Sequence, residues 1–356
     1  MLTLTMLPAR QGDCFWIDYL AGGATHNLVI DGGPEHSNVL SGEVARRIAA
    51  APDGKLHVDL IVVTHIDNDH IGGVLELLEA PPAGLSIGEI WFNGYDQIAA
   101  LDVLGADQGD RLSALLERMR PKWNSTFGGA AVMIPDHGAL PRIERNGGKI
   151  TLTLLGPSRA ALAKLAQEWD APTIAGITET VVEEPDDLLG RDDPWPPDYD
   201  ALLREPFRAD TGAPNGSSIA FLLSHGTTRI LFAADAPAAE LVPAILRLLG
   251  ETGEGDRLRL EACKLAHHGS RKSTSKALLD LLRCQRWLIS SNGSYFGHPD
   301  PAAIARVLEH GDPNPELIFN SRREFALRWT AADVPAHPPF TARLPPREGD
   351  PVVLQF

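Results

Sequence analysis

Short apolar runs closed by Gly, Asp and Pro fill the first part of the chain. TLTMLPA, CFWIDYL and HNLVIDG predict strands over 3–9, 14–20 and 26–32. VARRIAA (44–50) has helical character, and VDLIVVTH (58–65) is a continuous buried-strand pattern that ends on His65. In GGVLELLEA (72–80), Val74, Leu75, Leu77 and Leu78 share one helical face. RLSALLERMR (111–120) and RAALAKLAQEW (159–169) predict amphipathic helices, with the strand KITLTLLGP (149–157) between them.

The second half alternates in the same way. SSIAFLLSHG (217–226) and TRILFAAD (228–235) predict strands joined by a short turn at Gly226. AAELVPAILRLLG (238–250), TSKALLDLLRC (274–284) and PAAIARVLEH (301–310) predict helices. LEACKLAHH (260–268), RWLISSNGS (286–294), ELIFN (316–320) and PVVLQF (351–356) predict strands between and after them. No internal repeat is visible, and two packed sheets with helices outside are expected. Between 181 and 214 the period is lost in a segment dense in Asp, Glu and Pro, which reads as an acidic surface insertion.

The chain has 356 residues, of which 44% are hydrophobic and 22% charged, an ordinary balance for a globular protein. No apolar run approaches the length of a membrane span, and the N-terminus lacks the basic and apolar regions of a secretory signal. Three cysteines without a CxxC pair suit small core residues in a reducing cytoplasm. The net charge of −15 argues against a general attraction to nucleic acid. Bound cations could still reverse the field at one site.

The chemistry concentrates in VVTHIDNDHIGGV (62–74), where His65 ends a strand and Asp67, Asp69 and His70 follow on a tight loop. Imidazole nitrogen and carboxylate oxygen in this spacing suit Zn²⁺, and also Mn²⁺ or Fe²⁺. Gly72 and Gly73 let the backbone pass close by at a helix start, which also favours an anionic group.

THIDNDHIGG resembles the second motif of the metallo-β-lactamase superfamily, with Asp67 where a second histidine usually stands. Its HxDxDHxGG form is similar to the hydrolase domain of the competence protein ComEC. LPARQGDCFWI, LVIDGGP, NGSSIAFLLSHGTTRILFAADA, KLAHHGSRKSTS and SSNGSYFGHPD resemble further elements of that branch in the same order. The resemblance implies an α/β, four-layer αββα sandwich with two mixed sheets. It would form a single domain over 1–356, with 181–214 inserted in it.

The resemblance also implies two divalent ions, Zn²⁺ first and Mn²⁺ as the alternative. It gives His65 and Asp67 to one, and Asp69, His70 and His267 to the other, with Asp235 bridging. Of the HH pair, His267 is taken as the ligand and His268 as facing the substrate, although the order could be the reverse. Asp31 is expected to orient a ligand. The superfamily's additional histidine has only His137 and His225 as candidates. Asp69, His268 and His298 are the expected catalytic residues, and Asp13, Ser270, Arg271 and Lys272 the expected substrate contacts.

The expected activity is a phosphodiesterase or nuclease that uses a metal-bound hydroxide, with nucleic acid or another phosphodiester as partner and no membrane. One alternative is hydrolysis of a small ester, lactone or lactam, which the acidic surface favours. Another is a regulated effector or binding protein on the same scaffold. A regulatory protease acting on the acidic insertion is a further expected partner, because Arg191, Arg204 and Arg208 offer cleavage points.

Overall fold

The computed structural model describes residues 1–99, 111–119, 122–168, 193–332, 334 and 338–356. A six-stranded sheet contains β1 (Leu2–Met6), β2 (Phe15–Ala21), β3 (Ala24–Ile30), β5 (Leu60–Val62), β7 (Ile90–Trp91) and β18 (Val352–Gln355), in the order β18-β1-β2-β3-β5-β7. An eight-stranded sheet contains β8 (Arg142–Arg145), β9 (Ile150–Leu154), β10 (Phe221–His225), β11 (Thr228–Phe232), β13 (Ala262–Lys264), β15 (Arg286–Ile289), β16 (Glu316–Phe319) and β17 (Thr341–Arg343). Its order is β17-β16-β15-β13-β11-β10-β9-β8. Both sheets are mixed: β3, β5 and β7 run parallel, as do β11, β13, β15, β16 and β17, and the other pairings are antiparallel.

The period of two in the strands explains the layers. Phe15, Ile17, Tyr19, Leu28, Ile30, Leu60 and Val62 join one buried cluster with residues of the second sheet. Their alternating neighbours Trp16, Val29 and Ile61 join another, with Leu40 and Val44 of helix Val39–Ala50 and Ile71, Val74, Leu75, Leu77 and Leu78 of helix Asn68–Glu79. One face of the first sheet therefore meets the second sheet and the other meets helices. Helices Ala238–Thr252 and Pro301–His310 bury Leu241, Ile245, Leu248, Ile304 and Val307 with the second sheet. This mixed α/β architecture is consistent with the metallo-β-lactamase fold.

One expectation needs correction. TSKALLDLLRC is not a single helix: the helix covers Lys276–Asp280, and β14 (Leu282–Cys284) follows. β14 pairs in parallel with β12 (Leu258–Leu260), as β4 (Leu56–Val58) pairs with β6 (Leu85–Ile87) in another small ribbon. Leu282 and Cys284 are buried while Arg283 is exposed, a period of two that the leucines upstream mask. Residues 181–192 of the acidic insertion and His337 lie outside the described residues. Among the described residues, no helix is long and apolar enough to cross a membrane. Cys14, Cys263 and Cys284 are buried and unpaired by disulfides, and burial pushes the Cys263 thiol up to about 12.

Candidate metal centre

Asp31, His65, Asp235 and the His267–His268 pair lie just beyond the C-terminal ends of β3, β5, β11 and β13. Parallel strands end together there, so four crossover turns deliver polar side chains to one place. Helix Asn68–Glu79 starts at the same edge. Asp67 occupies its N-cap position, but its side chain makes no capping hydrogen bond. Gly72 and Gly73 are required by contact: a Cβ on Gly72 would lie 2.2 Å from the Glu35 nitrogen, and one on Gly73 would lie 2.1 Å from the Gly32 carbonyl oxygen. The loop after β3 thus presses directly on the helix backbone, and it carries Asp31 to His70.

The protons of the histidines can be placed by their partners. His268 Nδ1 lies 2.7 Å from the Ser290 carbonyl oxygen, which can only accept, so Nδ1 donates. His70 Nδ1 donates to Asp31 Oδ2 at 2.8 Å. Thr64 Oγ1 donates to the same Oδ2 at 2.8 Å and is left to accept from His65 Nδ1 at 3.0 Å. His267 Nδ1 donates to Asp210 Oδ2 at 3.1 Å. In each neutral ring the bare lone pair is therefore on Nε2.

Those lone pairs converge. The Nε2 atoms of His70 and His268 are 3.2 Å apart, and each is 3.3 Å from Asp235 Oδ2. Asp69 Oδ2 stands 3.3 Å from His268 Nε2 and 3.9 Å from His70 Nε2. His65 Nε2 is buried without a hydrogen-bond partner, and Asp67 Oδ2 lies 3.4 Å from it. Lone pairs facing lone pairs and carboxylates at this range demand positive charge between them. A divalent cation meets that demand with the N and O donors present, so the residues fit the expected group. With protons as the only cations, burial opposes charge on His70, but Asp235, Asp69 and Asp31 hold its pKa well above the ordinary value. At His268, burial is likewise outweighed, chiefly by Asp235.

Lys264 supplies a fixed charge behind this group. Its Nζ is 2.6 Å from Asp13 Oδ2, 3.2 Å from Asp235 Oδ1 and 2.9 Å from the Ala234 carbonyl oxygen, and the side chain is buried. Burial opposes ionisation of Asp13, yet Lys264 and then His268 keep its carboxyl well below the usual range. Burial also opposes the charge on Asp235, which His268, His70 and Lys264 hold well below the ordinary value. The ammonium occupies Oδ1 of Asp235, so Oδ2 is the oxygen that faces the imidazoles.

His298 and Arg271 meet at the rim through Asp300. His298 Nδ1 is 3.3 Å from Asp300 Oδ1, while the Arg271 backbone N–H donates to Oδ2 at 2.7 Å and Arg271 Nε lies 3.5 Å from it. His298 Nε2 is buried and unpartnered, and its ring centroid is 5.4 Å from that of His267. The described part of the acidic insertion also reaches this rim. Asp193 and Glu205 pair with Arg271, the latter at 3.1 Å, and the Asp210 N–H donates to the Lys272 carbonyl oxygen at 3.0 Å. Three carboxylates thus surround one guanidinium. Burial raises the pKa of Asp193, and Arg271 only partly offsets it.

The expected residues are redistributed as follows. His65, Asp67, Asp69, His70 and Asp235 come together. Of the HH pair, His268 Nε2 enters the group, while His267 Nε2 stands 3.8 Å from Asp235 Oδ2. Both residues are left-handed, with φ of 48° and 53°, so the chain curls and swings the second ring inward. Asp13, expected as a substrate contact, is buried against Lys264. Ser270 is buried as well, and its Oγ accepts the Lys272 N–H at 3.2 Å rather than lining an open surface. His137 is exposed, and His225 ends β10 at its hairpin turn. Sequence reasoning missed Lys264, Asp210 and Asp300. The first was visible as a charge inside the apolar run ACKLA, whereas Asp210 lies in a segment with no periodic signal.

Residues 7–92 match the family model of the metallo-beta-lactamase superfamily. The match holds Asp13, Asp31, His65, Asp67, Asp69 and His70, ends before Asp235, and supports that superfamily for this chain. The superfamily consists mostly of hydrolytic enzymes and binds two divalent metals. No curated protein matches the sequence. Among solved structures the chain is similar to a diphosphatase from the PhnP family, at 12% identity and TM-score 0.41, covering 100% of this chain and 98% of that one. It is also similar to the metallo-beta-lactamase fold protein YhfI from Bacillus subtilis, at 11% identity and TM-score 0.41, with 100% of both chains covered. The short form of human tRNase Z follows at 10% identity and TM-score 0.38, with 100% and 99% covered. These likenesses are of fold alone.

Proposed function

We propose that the chain is a metal-dependent phosphodiesterase or nuclease. The observation that carries the reading is the convergence of bare Nε2 atoms and carboxylates, with an arginine and a further histidine, His298, held beside it by Asp300. Asp69, His70, His268 and Asp235 would hold one divalent ion. His65, Asp67 and Asp235 would hold the other, and His267, whose Nε2 stands 3.8 Å from Asp235 Oδ2, would complete that set in place of the expected additional histidine. Two such ions would activate water at neutral pH and offset negative charge that develops on a phosphoryl group.

The protein's own groups do the rest. Arg271, once released by Asp193 and Glu205, would take a non-bridging phosphate oxygen. His298 has Asp300 Oδ1 against Nδ1, which fixes the ring and leaves Nε2 to face the leaving oxygen as a proton donor. Lys264 and Asp31 orient Asp235 and His70 without touching substrate.

The test pairs elemental analysis with hydrolysis of DNA, RNA and bis(p-nitrophenyl) phosphate. Two metal equivalents and phosphodiester turnover are expected. Asp67→Ala and His267→Ala, singly or combined, should remove the same one equivalent, and adding His268→Ala should remove the second. If the Asp67→Ala/His267→Ala protein is already metal-free, the division of the two histidines between the ions is wrong.

A second reading, hydrolysis of a small ester, lactone or lactam, draws support from the described part of the acidic insertion, a strap whose Asp193 and Glu205 neutralise Arg271. Matched phosphodiester, lactone and lactam substrates separate the two readings. Under the phosphodiesterase reading, Asp193 and Glu205 compete with phosphate for Arg271. Asp193→Asn/Glu205→Gln should then lower the KM for DNA, most at low salt, where screening is weakest. This substitution is cleaner than deleting the strap, because deletion also takes Asp210 from His267. Arg204 and Arg208 are exposed on the strap, so a trypsin-like protease could cut there and release the same contacts. An unchanged KM in the double variant would reduce the strap to a structural element.

A further inference from the structure

A cavity of about 620 Å³ is lined by Asn292, Ser294, Arg322, Arg323, Phe325 and Arg328, with Glu324 and Leu327 completing the wall. Its volume is within the range of small-molecule sites, roughly 300–1,000 Å³. Three arginines on one wall are out of character for a chain of net charge −15, and only Glu324 opposes them within the lining. Arg323 Nε is 3.3 Å from Glu348 Oε1, and Arg322 Nη1 donates to the Pro345 carbonyl oxygen at 3.0 Å. Five donors on each guanidinium leave both able to bind further acceptors. Arg328 Cζ lies over two aromatic rings, 4.5 Å from the Trp195 centroid and 4.6 Å from that of Phe325, and its Nε is buried without a hydrogen-bond partner.

The cavity and the metal centre share a wall. Asn292 and Ser294 belong to the segment whose Ser290 carbonyl accepts from His268 and which ends at His298. On the far side, Arg328 Nη2 donates to the Pro299 carbonyl oxygen at 3.4 Å, immediately after His298. Gly293 makes the close fit possible, since a Cβ there would lie 2.3 Å from Phe325. This segment thus touches the metal centre at Ser290 and, at Asn292 and Ser294, lines a pocket with guanidinium groups and an aromatic face.

We propose that this cavity is a second phosphate subsite, which seats a nucleotide flanking the scissile phosphodiester by ion-pairing with Arg322 and Arg323. It rests on the phosphodiester reading for its occupant. Stacking of a base on an aromatic or guanidinium face would add affinity without sequence preference.

The experiment measures binding of a phosphorothioate hexathymidylate, which resists cleavage, to the full chain across a salt series. Arg322→Gln/Arg323→Gln should weaken binding at least tenfold at low salt. The slope of log K against log salt should shrink by about one per lost phosphate contact. Lys55→Gln/Arg118→Gln removes the same net charge at exposed positions away from the cavity and should shift affinity far less. Thermal midpoints report whether each variant is folded. Equal losses in the two double variants, or an unchanged slope in the arginine variant, would overturn the subsite. Arginine-dependent binding by a protein that cleaves no phosphodiester would instead overturn the catalytic reading and leave the subsite standing.

Discussion

Asp235→Ala should leave a folded protein that hydrolyses phosphodiesters on the order of 10³-fold more slowly, or not measurably. Oδ2 of this residue lies 3.3 Å from both His70 Nε2 and His268 Nε2, and His267 Nε2 is 3.8 Å away. Removing it takes a negative charge from between the imidazoles and so loosens any cation they hold. Cations in such a site contribute several kcal/mol to charge stabilisation, and each 1.36 kcal/mol is a factor of ten in rate. The fold should survive, because Lys264 keeps Asp13 at 2.6 Å and the Ala234 carbonyl at 2.9 Å. Metal content measured on the same preparation should fall in parallel. Near-normal turnover in the alanine variant would end the dinuclear reading.

The strand ends of the site were legible in the sequence because burial patterns stop abruptly at polar residues. VDLIVVTH runs apolar and ends on His65, and TRILFAAD ends on Asp235, so the pattern alone places both residues at sheet edges. The glycines after His70 were legible for the same reason: only a close backbone approach explains two of them at a helix start. The order of His267 and His268 was not legible. It depends on two successive left-handed residues, and nothing in the letters HH announces that curl. Asp210 was hidden for a different cause, since it acts from an insertion whose composition reads as solvated surface. The β14 strand was hidden by leucines that satisfy a helical period as well as an alternating one. In each case a tertiary contact, with Asp210 on His267 or β12 beside β14, decides what local pattern leaves open.

Lys264→Met should destabilise the metal-free protein by about 3–5 kcal/mol, the cost of leaving buried charges without their partner. The lysine is the buried cation between Asp13 and Asp235, and both carboxyls are held below their usual range in part by it. A buried ion pair adds little net stability over an apolar pair, so the loss comes from the two carboxylates that remain. The pH dependence follows from the same shifts. In the wild type, depressed carboxyl pKa values give stability that is present above the unfolded value near 3.8 and lost as pH falls through the lower folded values. The variant lacks much of that contribution, because its unpaired carboxyls take up protons more readily. Urea unfolding at a series of pH values should therefore show the largest gap at neutral pH and a narrowing one towards and below pH 3.8. Adding Asp13→Asn to Lys264→Met should recover part of the loss by removing one of the stranded charges. Saturating divalent metal should recover another part by supplying positive charge next to Asp235. A variant within about 1 kcal/mol of wild type at neutral pH, the median worth of an exposed pair, would show that Lys264 is not the counter-charge of this centre.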